Sequence, residues 1–219
     1  MVDSPNLPLV IIGAGGHGRE TLDVVQAINE RQPVWNFLGF LADGEQRPEL
    51  ALQRGAKILG GVSLLENLDC FFVIGIGSGQ ARKEIDTFGA SIGKMSTVLI
   101  HPKAILGSEI SMEPGCIVAA GAILSTNITI GKHTHIDIGA SLSHDVSIGS
   151  YCTICPGVRV AGWAQIEDGA TIGVGAVLRD RVKIGTNAII GAGSVVIGDV
   201  SPNVTVAGVP ARPLHDLPK

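Results

Sequence analysis

Between Leu106 and Val196 an apolar residue recurs at every sixth position. Leu106, Met112, Val118 and Leu124 open the series and Ile184, Ile190 and Val196 close it; all sixteen members are aliphatic or methionine, without insertion or slip. Four residues after each stands a second column, from Ile110 and Cys116 to Ser194 and Val200, in which every member is small or β-branched. Glycine often follows the first column directly, as at Gly107, Gly131, Gly149, Gly173, Gly185 and Gly191. A period of six fits neither the helical repeat nor the heptad, but it divides by the strand period of two, so short strands repeat with a corner between them. Three hexads close a triangular coil of about 18 residues, and such coils stack about 4.8 Å apart. The spacing predicts an all-β, left-handed parallel β-helix of roughly five coils built from hexapeptide repeats. The large column would fill its interior and the small column would lie where the chain turns inward.

The first hundred residues carry a different pattern. After a polar, proline-bearing lead-in at residues 1–8, Leu9-Val10-Ile11-Ile12 reads as a buried strand and runs into Gly13-Ala14-Gly15-Gly16-His17-Gly18. From Arg19 to Glu30 the apolar positions Leu22, Val25 and Ile28 have helical spacing. Strand, glycine turn and helix together form the setting in which G-x-G-x-x-G lets a backbone approach a phosphate, with helix N–H groups pointing at it. A second strand, Phe37 to Leu41, ends at Asp43, where an acid commonly takes a ribose hydroxyl. A third, Cys70 to Ile76, leads through Gly77-Ser78-Gly79 into a helix from Gln80 to about Phe88. The alternation implies a small parallel α/β sheet of Rossmann-like type over residues 1–100, joined at His101-Pro102 to the β-helix and its tail over residues 101–219. The second half of a dinucleotide fold is missing, which favours a mononucleotide-type ligand over NAD. The plain alternative is a glycine turn that only packs helix on strand.

Composition narrows the function further. With 219 residues, 30 glycines and 4% aromatics, the chain suits a tightly turning solenoid. A net charge of −4 without a basic run argues against nucleic acid as a partner. No apolar run approaches the roughly 18 residues of a membrane span, and the N-terminus lacks the pattern of a secretory signal. Cys116 and Cys152 fall in the small inward column, and Cys152-x-x-Cys155 has no second pair to complete a zinc site, so the cysteines read as reduced thiols in the cytoplasm.

A packed β-helix interior leaves chemistry to the outer faces. His144 and Asp145 are adjacent at an outward corner, and an imidazole held in one tautomer by a carboxylate suits general-base work. Residues 18 apart stack on neighbouring coils, so Thr126 lies below His144 and Gly162 above it; the glycine leaves a notch and exposes backbone N–H groups of the kind an oxyanion site needs. His135 and Thr153 form another vertical pair about half a turn away, within reach only from a neighbouring chain. His133 reads as a solvated corner residue and His101 as a junction residue. A zinc site built on His135 and His144 lacks a third histidine, so no metal is expected.

With these residues identified, the chain resembles the NeuD/PglD-like hexapeptide sugar acyltransferases, and most of all the PglD-type enzymes that acetylate a nucleotide-linked 4-amino sugar. The resemblance rests on Ile12 to Gly18, the Ile76-Gly77…Arg82-Lys83 segment, the hexads, Ser143-His144-Asp145 and the closing Gly208-Val209-Pro210-Ala211-Arg212. It implies a homotrimer with acetyl-CoA lying between adjacent solenoids, and the nucleotide of the sugar on the N-terminal domain. His144 then looks like the general base and Asp145 like the carboxylate tuning it. Gly15, Gly16, His17, Asp43 and Gly77 fall where the family contacts the nucleotide-sugar, and Gly162, Val174 and Ala192 along its acetyl-CoA path. Thr153 stands where the family often has a second histidine near the thioester. The expected reaction is acetyl-CoA-dependent N-acetylation of the 4-amino group. The alternatives are O-acetylation of a sialic-acid-type sugar, a non-catalytic nucleotide-sugar scaffold, and a zinc carbonic-anhydrase-like protein.

Overall fold

The computed structural model describes residues 6–44 and 47–214; residues 1–5 of the lead-in and the end of the tail lie outside them. Contacts divide the chain into two compact units, with the divide between Pro102 and Lys103.

The first unit is a four-stranded, fully parallel sheet. Its order is β3-β2-β1-β4, with β1 Leu7–Ile12, β2 Trp35–Leu41, β3 Ile58–Gly60 and β4 Phe71–Ile74. Leu9 to Ile12 are wholly buried, because alternate residues feed two cores: Leu9 and Ile11 pack with Leu22, Val25 and Phe40, and Val10 and Ile12 with Leu41, Phe72 and Ile74. Helix α1, Gly16–Arg31, begins inside the glycine turn, three residues earlier than the apolar spacing alone indicates. Helix α3, Gly79–Ser91, is capped by the Ser78 hydroxyl, which accepts from the Ala81 N–H at 3.3 Å. A short helix α2, Pro48–Leu52, the strand β3 and a 3₁₀ segment Val62–Asn67 are additions that the sequence pattern did not mark.

The second unit is the parallel β-helix. Strands stack in register 18 residues apart on three faces, as in Ser147 on Gln165, Thr153 on Thr171 and Arg159 on Val177. From Val118 to Val196 the large column is buried throughout, and so is the small column from Cys116 to Val200. Only the first coil departs: Leu106 is 37% exposed and Met112 partly so, since no earlier coil lies beneath them.

The corners follow the same period. Every sixth residue from Glu109 to Gly193 has positive φ. One corner uses glycine throughout (Gly121, Gly139, Gly157, Gly175, Gly193), which meets that backbone without a Cβ penalty. Another carries Glu109, Asn127, Asp145, Trp163 and Arg181 at φ 53–63°. The glycines that follow the large column have a separate cause. A Cβ on Gly173 would stand 2.6 Å from the Ile190 carbonyl oxygen of the next coil, inside any real contact distance. The solenoid ends in an antiparallel pair, Thr205–Gly208 with Ala211–Pro213.

Candidate active site

The corner at His144 brings together residues from four successive coils. The His144 Nδ1 lies 2.7 Å from Asp145 Oδ2, with the imidazole about half exposed and Asp145 more covered. Asp145 adopts φ +60°, which an aspartate tolerates, and this turns its carboxylate back toward the preceding residue. Its other oxygen accepts from Asn127 Nδ2, one coil below, at 3.2 Å. Held from both sides, the carboxylate takes the Nδ1–H and leaves Nε2 as the basic nitrogen. Asn127 is a positioning residue that the sequence reading missed, although its distance of one 18-residue coil from Asp145 would have revealed it.

Gly162 roofs the imidazole. A Cβ there would sit 2.6 Å from His144 Cε1 and 2.8 Å from Nε2, so only glycine leaves the ring its place. The next residue, Trp163, donates its N–H to the His144 carbonyl at 3.1 Å. Its indole meets the imidazole edge-on, with centroids 6.4 Å apart and planes at 84°.

The other solenoid residues singled out above do not gather here within one chain. Thr153 is buried on a different face, paired in register with His135. Val174, 54% exposed, and Ala192 belong to a third location, the all-glycine corner, where they stack with exposed Ile138. His133 corrects an expectation. It is fully buried rather than solvated, because its ring fills the space left by Gly115 one coil below and stacks on Tyr151 at 6.1 Å with planes 8° apart. Among the described residues no group of three or more His, Cys, Asp or Glu could hold a metal ion.

In the first unit the strand ends at the glycine turn border a cleft of about 500 Å³. Gly15 and Asp43 line it, as do Gly13, Ile76 and Glu84, the last of which the sequence did not single out. A Cβ on Gly15, Gly16 or Gly77 would meet nothing, so backbone is open to a ligand at all three. Gly18 serves packing instead: a Cβ there would run into the Gly13 carbonyl oxygen. The two roles proposed for a glycine turn, ligand approach and helix–strand packing, thus fall to different glycines of one loop. Asp43 Oδ1 accepts from the Val62 N–H at 3.1 Å, which fixes its carboxylate at the cleft rim. Arg82 is fully buried and donates to the carbonyls of Ile76 and Gly77 at 2.8 and 2.9 Å, pinning the loop that carries Gly77.

His17 titrates below its ordinary range. Burial, the largest cause, and nearby Arg82 disfavour its charge, while Glu20 at 3.5 Å partly offsets them. A folded-state value below the ordinary 6.5 means that the unfolded chain takes up a proton which the folded site resists. The stabilising effect is therefore complete above 6.5 and is lost as pH falls toward the folded value. Urea midpoints should fall through that window in the wild type and fall less in His17→Gln; parallel curves would contradict this.

Comparison with known proteins agrees with the two folds. Residues 8–86 match the PglD N-terminal domain family, and residues 127–162 and 164–198 match the bacterial transferase hexapeptide family. The chain joins these two family domains and is an acyltransferase similar to the NeuD/PglD-like sugar acyltransferases. Among solved structures of this group, it is similar to the acetyltransferase domain of PglB from Neisseria gonorrhoeae in complex with acetyl coenzyme A (28% identity, TM-score 0.85, 95% of this chain and 100% of that one). PerB from Caulobacter crescentus, solved with CoA and GDP-perosamine, aligns at 27% identity and TM-score 0.86 over 94% of this chain and 96% of its own. WeeI from Acinetobacter baumannii aligns at 28% and 0.82, over 94% and 99%. No curated protein sequence matches. No helix among the described residues is long and apolar enough to cross a membrane.

Proposed function

We propose that this acyltransferase moves the acetyl group of acetyl-CoA to the 4-amino group of a nucleotide-linked amino-deoxy sugar, with His144 as general base. The observation that carries the reading is the His144–Asp145 contact of 2.7 Å beneath Gly162. It leaves an oriented imidazole Nε2 beside the Gly162 backbone, which is itself buried because the ring fills the notch expected there, and an oriented base is what amine acylation requires.

The amine nitrogen attacks the thioester carbonyl carbon as Nε2 removes its proton. The Gly162 N–H supports the developing oxyanion, the C–S bond breaks, and CoA leaves as thiolate or, after protonation, thiol. No covalent enzyme intermediate is needed. The cleft at Gly15 and Asp43, with His17 and Gly77 beside it, takes the nucleotide. The structural relatives bound to CoA and to GDP-perosamine support both ligand classes.

A homotrimer completes the site in this reading. Thr153, Val174 and Ala192 lie away from His144 within one chain, so a second copy supplies the remaining acetyl-CoA surface. Exposed Ile105, Ile123 and Val177 on one face, with Ile138 and Val174 at its edge, provide apolar area for that contact. Cysteines without a disulfide at Cys70, Cys116, Cys152 and Cys155 and the need for acetyl-CoA fit the cytoplasm. The chemistry of the acceptor is read from the product. The transferred acetyl should resist hydroxylamine, as an amide does; its release would make the product an ester and the enzyme an O-acetyltransferase.

A further inference from the structure

We propose that the exposed indole of Trp163 is the surface on which the acceptor's pyranose ring packs, so that Trp163 contacts substrate and sets acceptor specificity. The proposal rests on the N-acetyltransferase reading above.

Trp163 packs into no core that would demand an aromatic side chain. It occupies a corner position at φ +63°, a conformation that is an outlier for so bulky a side chain. The equivalent positions of the same corner hold Glu109, Asn127, Asp145 and Arg181, all polar. Its ring fills no core, since the residue is 49% exposed. The indole is nevertheless held in place. Arg181, one coil above, lies over it with the guanidinium carbon 5.5 Å from the ring centroid, and the edge of the His144 imidazole meets it from the side.

The base decides what the remaining indole surface faces. An acceptor amine must come within hydrogen-bond reach of His144 Nε2. Gly162 closes the space directly above that nitrogen, while Trp163 stands beside it with its centroid 6.4 Å from that of the imidazole. A pyranose carrying its amine to Nε2 spans that distance, so its C–H face meets the indole. Aromatic rings take such faces as apolar surface while leaving the hydroxyl rim in water.

Two substitutions keep the corner foldable: Trp163→Asn, because asparagine tolerates positive φ, and Trp163→Phe, which retains an aromatic face. In thiol-release kinetics, Trp163→Asn should raise the KM of the nucleotide-sugar about tenfold or more while the KM of acetyl-CoA stays within about twofold, and Trp163→Phe should recover most of the loss. An unchanged sugar KM, or an equal rise for acetyl-CoA, overturns the proposal. Tryptophan emission separates its failure from that of the underlying reading. The chain has two tryptophans, and Trp35 is buried. Adding an amino-sugar nucleotide alone should shift the emission to the blue in wild type and not in Trp163→Phe. That shift without any thiol release would defeat the acetyltransfer reading and leave the sugar surface standing. If none of the UDP-, GDP- and dTDP-linked 4-amino-4,6-dideoxy sugars moves the emission, the surface is refuted whether or not turnover occurs.

Discussion

His144→Ala should lower kcat/KM by roughly 10² to 10⁴ while leaving unfolding midpoints unchanged. The imidazole is about half exposed and packs no core, so its removal leaves no cavity. What disappears is the group proposed to take the amine proton during attack. Asp145 cannot substitute, because its oxygens are engaged by His144 Nδ1 and Asn127 Nδ2. Its own replacement by Asn, which tolerates the same φ, would keep the backbone and remove the acceptor of the Nδ1–H. A loss below tenfold in His144→Ala would remove the histidine from the chemistry.

The second large effect is expected from a single methyl group. In Gly162→Ala the new Cβ falls 2.6 Å from His144 Cε1, and the ring, at a half-exposed corner, swings outward to avoid it. Displacement of a catalytic group by about 1 Å can cost on the order of 10²-fold, and a loss of that order in kcat is expected here. The coil itself should hold, since φ at Gly162 is not in the left-handed region and the small-column neighbour Ala164 stays buried. Near-wild-type activity in a folded Gly162→Ala would mean that Nε2 works from another position.

How much of this was legible beforehand varies with the kind of constraint. Period-six columns are long-range and redundant, so one inspection of Leu106 to Val196 yields the coil, its register and the vertical neighbours of His144. The glycine turn is equally plain, because strand, turn and helix each leave their own pattern. Single corners are harder. His133 is buried because Gly115 lies beneath it and Tyr151 above, a three-coil arrangement that polarity alone misreads as a solvated surface. Trp163 and Arg181 escaped notice because neither belongs to a column; their meaning comes from a side-chain contact one coil apart. In the first unit β3 and α2 were missed since Ile58–Gly60 and Pro48–Leu52 are too short to show a period. Glu84 sits on a helix face that reads as solvated, and only the fold turns it toward the cleft.

The most direct test of the account is thiol release from acetyl-CoA by the wild-type protein against a panel of acceptors. The panel holds UDP-, GDP- and dTDP-linked 4-amino-4,6-dideoxy sugars, with CMP-sialic acid and free sialic acid beside them. Turnover on an amino-sugar nucleotide and none on the sialic acids is the predicted result. Turnover confined to the sialic acids, or no thiol release on any acceptor while acetyl-CoA still binds, would contradict it.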